Sequence, residues 1–130
     1  MIEVEGMINN RPLVILIDSG ARHSYVYPRV VESLNLMKRK HEKSWLVQLA
    51  TGTKRKVTEL VKSCSVDMKG ISTKAELKIL PLGSYDCLIG MDWLDQHHAI
   101  LDCRNEAFTC LDEEGNQRDI QGIPRDVTVR

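Results

Sequence analysis

Leu13-Val14-Ile15-Leu16-Ile17-Asp18-Ser19-Gly20-Ala21 is the stretch on which the reading of this chain turns. Five apolar residues in a row predict a strand buried on both faces, not one that alternates between core and water. The triplet Asp18-Ser19-Gly20 stops that strand, because these are turn residues and glycine allows a sharp bend. A carboxylate is thereby held at the end of a rigid buried strand, and the Ser19 hydroxyl is available to stiffen the loop through nearby backbone. Alone, the triplet is an ordinary turn. Its placement after such a strand makes Asp18 the first candidate for chemistry.

Working outward, Ile2, Val4, Gly6 and Ile8 fall on one face of a first strand, and Asn9-Asn10 reads as a tight turn because asparagine tolerates positive φ. Beyond the triplet, Tyr25 and Val26 look extended, and Pro28 opens a short amphipathic helix carrying Val30, Val31 and Leu34. Residues 37–43 are basic and read as exposed. Residues 45–49 alternate, with Trp45, Val47 and Leu49 on one side. Residues 56–66 form a second extended run whose alternation falters at Leu60-Val61, where a bulge would reconcile it. Ala75, Leu77 and Ile79 alternate with Glu76 and Lys78 as a half-buried strand. Residues 85–89 form another strand ended by Gly90, residues 91–98 a short helix, and three short terminal strands follow. Strands this short, with turns this frequent, predict an all-β barrel or sandwich. One internal echo stands out: apolar strands run into Gly20 and Gly90, and a short helix follows each.

The bulk properties exclude several classes. At 130 residues the chain suits one domain. An apolar fraction of 42% with 28% charged residues is that of a globular protein. Lys plus Arg equals Asp plus Glu at 18 each, which weighs against a dedicated nucleic-acid binder; nucleic acid is not an expected partner. The clusters Lys38-Arg39-Lys40 and Lys54-Arg55-Lys56 are read as solvated surface. No apolar run approaches the ~20 residues of a membrane span, so no membrane partner is expected. Met1-Ile2-Glu3-Val4-Glu5 is acidic and alternating, unlike a signal peptide, which predicts an intracellular protein. Cys64, Cys87, Cys103 and Cys110 form no C-x-x-C pair, and adjacent His97 and His98 would point in different directions on a helix. No metal or other cofactor is therefore expected. The cysteines read best as free thiols, a Cys103–Cys110 hairpin bridge being the other option.

Two carboxylates sharing one proton can hydrolyse a peptide without a metal: one acts as base on water while its protonated partner acts as acid. This chain has a single D-[ST]-G triplet, and neither Asp67-Met68-Lys69-Gly70 nor the aspartates Asp86 and Asp92 recreate it. A two-fold homodimer would supply the second carboxylate.

At this point the chain resembles the retropepsin family, and more narrowly the proteases of gypsy-class LTR retrotransposons. The resemblance is carried by Leu16-Ile17-Asp18-Ser19-Gly20-Ala21 with His23-Ser24-Tyr25-Val26, and by Tyr85-Asp86-Cys87-Leu88-Ile89-Gly90-Met91-Asp92-Trp93-Leu94. Between them, Leu49-Ala50-Thr51-Gly52-Thr53 resembles the tip of a flap. The resemblance implies a retropepsin-like closed β-barrel with one or two short helices, working as a homodimeric aspartic endopeptidase on a Gag-Pol polyprotein. It makes Asp18 catalytic. It places Ser19, Gly20 and Ala21 in the active-site loop, Ala50, Thr51, Gly52 and Thr53 over the substrate, and Leu88, Ile89 and Gly90 packed beneath the loop. It also implies a cytoplasmic or virus-like-particle setting. The protease domain is expected over residues 1–112, with residues 113–130 a C-terminal strand or linker extension. Two departures are visible. Arg22 stands where such elements more often carry a small hydroxyl residue, and the flap is basic with a single glycine. The competing reading is a catalytically silent retropepsin-like module for dimerisation or peptide binding, against which the intact triplet argues.

Overall fold

Asn9 and Asn10 reverse the chain with φ of 52° and 63°, the left-handed pair that a two-residue hairpin turn requires. The computed structural model describes residues 1–48, 52–81 and 85–124. Its elements run β1 (Ile2–Ile8), β2 (Arg11–Ile17), β3 (Ser24–Val26), α1 (Pro28–Ser33), β4 (Arg39–Gln48), β5 (Lys54–Met68), β6 (Ile71–Ile79), β7 (Cys87–Ile89), α2 (Met91–Gln96), β8 (Ile100–Asp102), β9 (Ala107–Leu111) and β10 (Gln117–Gln121).

The main sheet runs β1-β2-β7-β3-β6-β5-β4, and β1 also pairs with β5. That pairing closes a six-strand barrel and leaves β4 hanging from β5. Closure is tight. At the seam Gly6 lies opposite Met68, and a Cβ on Gly6 would fall 2.7 Å from the Asp67 carbonyl oxygen and into Ile15. The fold is all-β with two short helices, as a retropepsin-like barrel requires.

Strand β2 is buried on both sides for two reasons. Leu13, Ile15 and Ile17 point into the barrel core with Ile2, Val4, Ile89 and Leu77, while Leu16 packs on the opposite face. The two strands of the internal echo become neighbours: β2 and β7 run parallel, with Ile17 opposite Ile89. The β5 irregularity falls at Ser63, whose φ is 53°, and the register against β6 shifts between Val61 and Cys64.

The basic segment at 37–43 is exposed, as expected, and part of it is also strand: β4 begins at Arg39, which pairs with Leu60 of β5. One expectation is corrected. Lys78 does not face solvent but is 2% exposed. Its ammonium sits 4.3 Å above the Trp45 ring and 3.8 Å from the Glu76 carboxylate, so β4 covers what an isolated strand would expose. All four cysteines are free, with Cys64, Cys87 and Cys110 buried and Cys103 exposed.

A second sheet, β10-β9-β8, seals the barrel with Phe108, Cys110 and Ile120 in the same core. Asp112 and Glu113 lie in the hairpin between β9 and β10. Past it, the Gly122 and Ile123 amides donate to the carbonyls of Glu106 and Glu3, each at 2.7 Å.

A polar clamp ties this sheet to the barrel. Trp93 Nε1 donates to the buried Thr73 hydroxyl at 2.9 Å, and that hydroxyl donates to Glu113 Oε1. His97 stacks on Trp93 and lies 3.5 Å from the same carboxylate. The Thr73 hydrogen bond, with lesser help from the Lys74 amide and His97, holds the Glu113 carboxyl below the usual carboxylate range. A depressed carboxyl contributes stability above its unfolded value and loses it as pH falls through the folded one. Glu113→Gln is therefore expected to lower the urea midpoint at pH 7, and the gap from wild type should close as pH falls through the folded-state value of Glu113 and its carboxyl becomes neutral. A gap that stays constant with pH would contradict this.

Candidate active site

Asp18 leaves β2 with its backbone still in the sheet: its N–H donates to the Ile89 carbonyl at 3.0 Å. The chain then turns within three residues, where the Gly20 N–H donates to Asp18 Oδ1 at 2.8 Å and the Ala21 N–H to the Asp18 carbonyl at 3.3 Å. A Cβ on Gly20 would stand 3.1 Å from that Oδ1, so glycine keeps the carboxylate close against the turn. Asp18 is half-buried, while Ser19 and Gly20 are exposed.

The loop is held from below by the start of α2. The Met91 N–H donates to the Ala21 carbonyl at 2.7 Å, and the Asp92 N–H to the Arg22 carbonyl at 3.1 Å. Gly90 presses against this backbone: a Cβ there would lie 2.7 Å from the Ala21 carbonyl oxygen and still closer to that of His23. Ile89 points into the core beside it. Leu88 points the other way, onto the groove floor, because side chains alternate along β7.

Sequence reasoning passed over the residues that lock this arrangement, Ser24 and Asp92. The Ser24 hydroxyl, fully buried, donates to Asp92 Oδ1 at 2.6 Å and accepts the Gly90 N–H at 3.0 Å. The Ser24 N–H donates to Asp92 Oδ2 at 3.2 Å, and the Trp93 N–H to Oδ1 at 2.8 Å. Both stood inside the blocks that carry the family resemblance, but with no role beyond a serine opening a short apolar strand and an aspartate in the first turn of a helix. Asp92→Ala strands the Ser24 hydroxyl and two amides, so an expected loss of about 2–3 kcal/mol should appear in chemical denaturation. Asp92→Asn, which keeps one acceptor oxygen, should recover part of it.

Above the loop lies a groove of about 900 Å³ that Asp18 faces. Leu16, Tyr25, Leu80 and Leu88 line it from the barrel, and Trp45, Leu46, Val47 and Gln48 line it from β4. Tyr25, Leu80 and Val57 pack there as an apolar cluster separate from the barrel core, joined by Trp45, Val47 and Leu88. Arg22 and His23 stand among the lining residues. Burial pushes the His23 imidazole below its ordinary value, and the Lys78 and Arg22 charges push it the same way against Asp92 and Glu76. Burial pushes the Tyr25 phenol up, with help from Asp92. Of the expected flap residues, Gly52 and Thr53 are exposed beside the β4–β5 hairpin, and Gly52 has φ of 88°. Ala50 and Thr51 lie outside the described residues.

A family model described as retroviral aspartyl protease matches residues 1–116. The chain belongs to that family. Among solved structures, it is similar to the crystal structure of the retroviral protease-like domain of Ddi1 from Leishmania major, with a TM-score of 0.70. The two are 20% identical, over 95% of this chain and 94% of that one. At that identity the likeness speaks for the fold. No curated protein matches the chain. Within this retroviral aspartyl protease fold, Asp18 is the one carboxylate lining the groove among the described residues.

Proposed function

We propose that the chain is an aspartic endopeptidase that works as a two-fold homodimer, each subunit contributing its Asp18. The observation that carries this is a single carboxylate, fixed by its own turn, facing an apolar groove of about 900 Å³. That volume lies in the range of pockets that bury most of a ligand. One carboxylate cannot be both base and acid, and the exposed Ser19-Gly20 turn leaves room for a second copy to bring another Asp18 alongside. In that dimer, the ionised member takes a proton from water as the oxygen attacks the scissile carbonyl carbon. The protonated member gives its proton to the carbonyl oxygen. Collapse of the resulting diol breaks the C–N bond, and a proton passes to the leaving amine. Ser19, Gly20 and Ala21 position the carboxylates, and Ala50, Thr51, Gly52 and Thr53 serve to cover the peptide. The ordered blocks Leu16 to Ala21 with His23 to Val26, Leu49 to Thr53 and Tyr85 to Leu94 resemble proteases of gypsy-class retrotransposons, which supports a Gag-Pol-type polyprotein as substrate and an intracellular or particle-bound setting.

The test is digestion of a random peptide library at mildly acidic pH by concentrated protein, with and without a statine-type inhibitor, beside sedimentation of the same sample. Cuts that the inhibitor blocks establish the activity. A dimer that makes no cuts overturns the enzyme reading in favour of a silent peptide-binding module.

A further inference from the structure

We propose that the groove selects peptides bearing an acidic side chain on a flank of the apolar core, held by Arg22 from the active-site loop and Arg55 from β5. The inference rests on reading the groove as a peptide site. Arg22 lines the groove directly, on the loop that Asp18 begins. Arg55 is placed by register. Trp45 pairs with Val57 and Val47 with Arg55, and directly opposed residues in an antiparallel ladder share a face. Trp45, Val47 and Val57 pack together in the groove cluster, so Arg55 projects from the face that covers the groove. Its neighbours Lys54 and Lys56 pair with Gln48 and Leu46 on the other face. Of three consecutive cations, Arg55 is the one that shares the face of Trp45 and Val47; it is exposed and stands beyond the residues that line the groove.

Among the described residues, neither guanidinium has an ion-pair partner. The pairs Lys38–Glu59, Lys78–Glu76, His97–Glu113 and Arg118–Asp112 include neither Arg22 nor Arg55. The nearby Asp92 carboxylate is occupied by Ser24 and the Trp93 amide. Lys78 is neutralised by Glu76 and lies beneath Trp45. The chain as a whole has no excess of positive charge, so a basic rim around an apolar floor is a local feature. Arginine at both places suits a carboxylate, whose two oxygens match its paired donors. The acid would be excluded next to the scissile bond by Asp18 itself, which leaves the flanks.

The experiment is fluorescence anisotropy with non-cleavable peptides that share one apolar core, carry statine at the scissile position, and are flanked by Asp, Ala or Lys. Wild type should bind the Asp-flanked peptide roughly five- to tenfold tighter than the Ala-flanked one, with Lys weakest, and added salt should shrink the spread. Arg22→Glu and Arg55→Glu should each narrow or invert that order. Equal affinities for the three flanks, no binding of any, or a preference that survives both substitutions would overturn the proposal. Loss of dimer in Arg22→Glu with the flank order intact would do the same, by assigning Arg22 to the subunit contact. Parallel digestion of cleavable versions separates the two readings. Acidic preference in binding without cleavage keeps the charge selection and removes the protease. Cleavage without flank preference does the reverse.

Discussion

Asp18→Asn is expected to lower peptide cleavage by about 10³-fold or more, while the folding free energy moves by less than about 1 kcal/mol. The separation of the two effects comes from geometry. The side chain's one structural duty in the turn is to accept the Gly20 N–H at Oδ1, and an amide oxygen accepts that bond equally well. The backbone bonds to Ile89 and Ala21 do not involve the side chain at all. What asparagine lacks is the ability to take a proton from water or to hand one to a carbonyl. In a homodimer both copies lose it together, so no intact partner remains. Steady-state kinetics on a peptide found in the library screen, beside urea denaturation of the same preparations, measure both quantities. Activity persisting in the variant, with contamination excluded, would remove Asp18 from the chemistry.

Gly90→Ala should be the most damaging added methyl among the described glycines, costing about 3 kcal/mol or more of a total that for such domains is about 5–15. The backbone at Gly90 has φ of −108°, which any residue can adopt, so the penalty is one of space alone. The added carbon would lie 2.7 Å from the Ala21 carbonyl oxygen and nearer still to that of His23. Relief requires the loop or the helix to move. The bonds from Met91 to Ala21, from Asp92 to Arg22 and from Gly90 to Ser24 oppose that separation. Any shift that does occur is passed directly to Asp18, three residues before Ala21. The expected result is a lowered urea midpoint together with lost cleavage, although Gly90 is not among the residues lining the groove. A variant as stable as wild type would show that loop and helix are not packed as tightly as drawn.

The two predictions divide along the same line as the information in the chain. The β1–β2 hairpin, the run into Asp18, the helix start at Pro28 and the strand ending at Gly90 were legible because each depends on neighbours in sequence. Asn9 and Asn10 accept left-handed φ by their own chemistry, and Leu13 to Ile17 demand burial whatever lies around them. The resemblance to a known family then supplied the barrel. Other features were invisible because their causes are distant. Ser24 and Asp92 meet across 68 residues, and nothing in either local sequence calls for the other. Lys78 alternates in sequence like a solvent-facing residue, but β4 brings Trp45 over it. Arg55 reads as one of three surface cations until its register opposite Val47 assigns it a face. Backbone preference and hydrophobic period are properties of short segments, so the sequence by itself determined the elements and the carboxylate at the end of β2. Pairing, burial of charge and the clamp beneath the loop arise only when remote strands share one barrel, so only the tertiary structure decided what holds that carboxylate and what surrounds it.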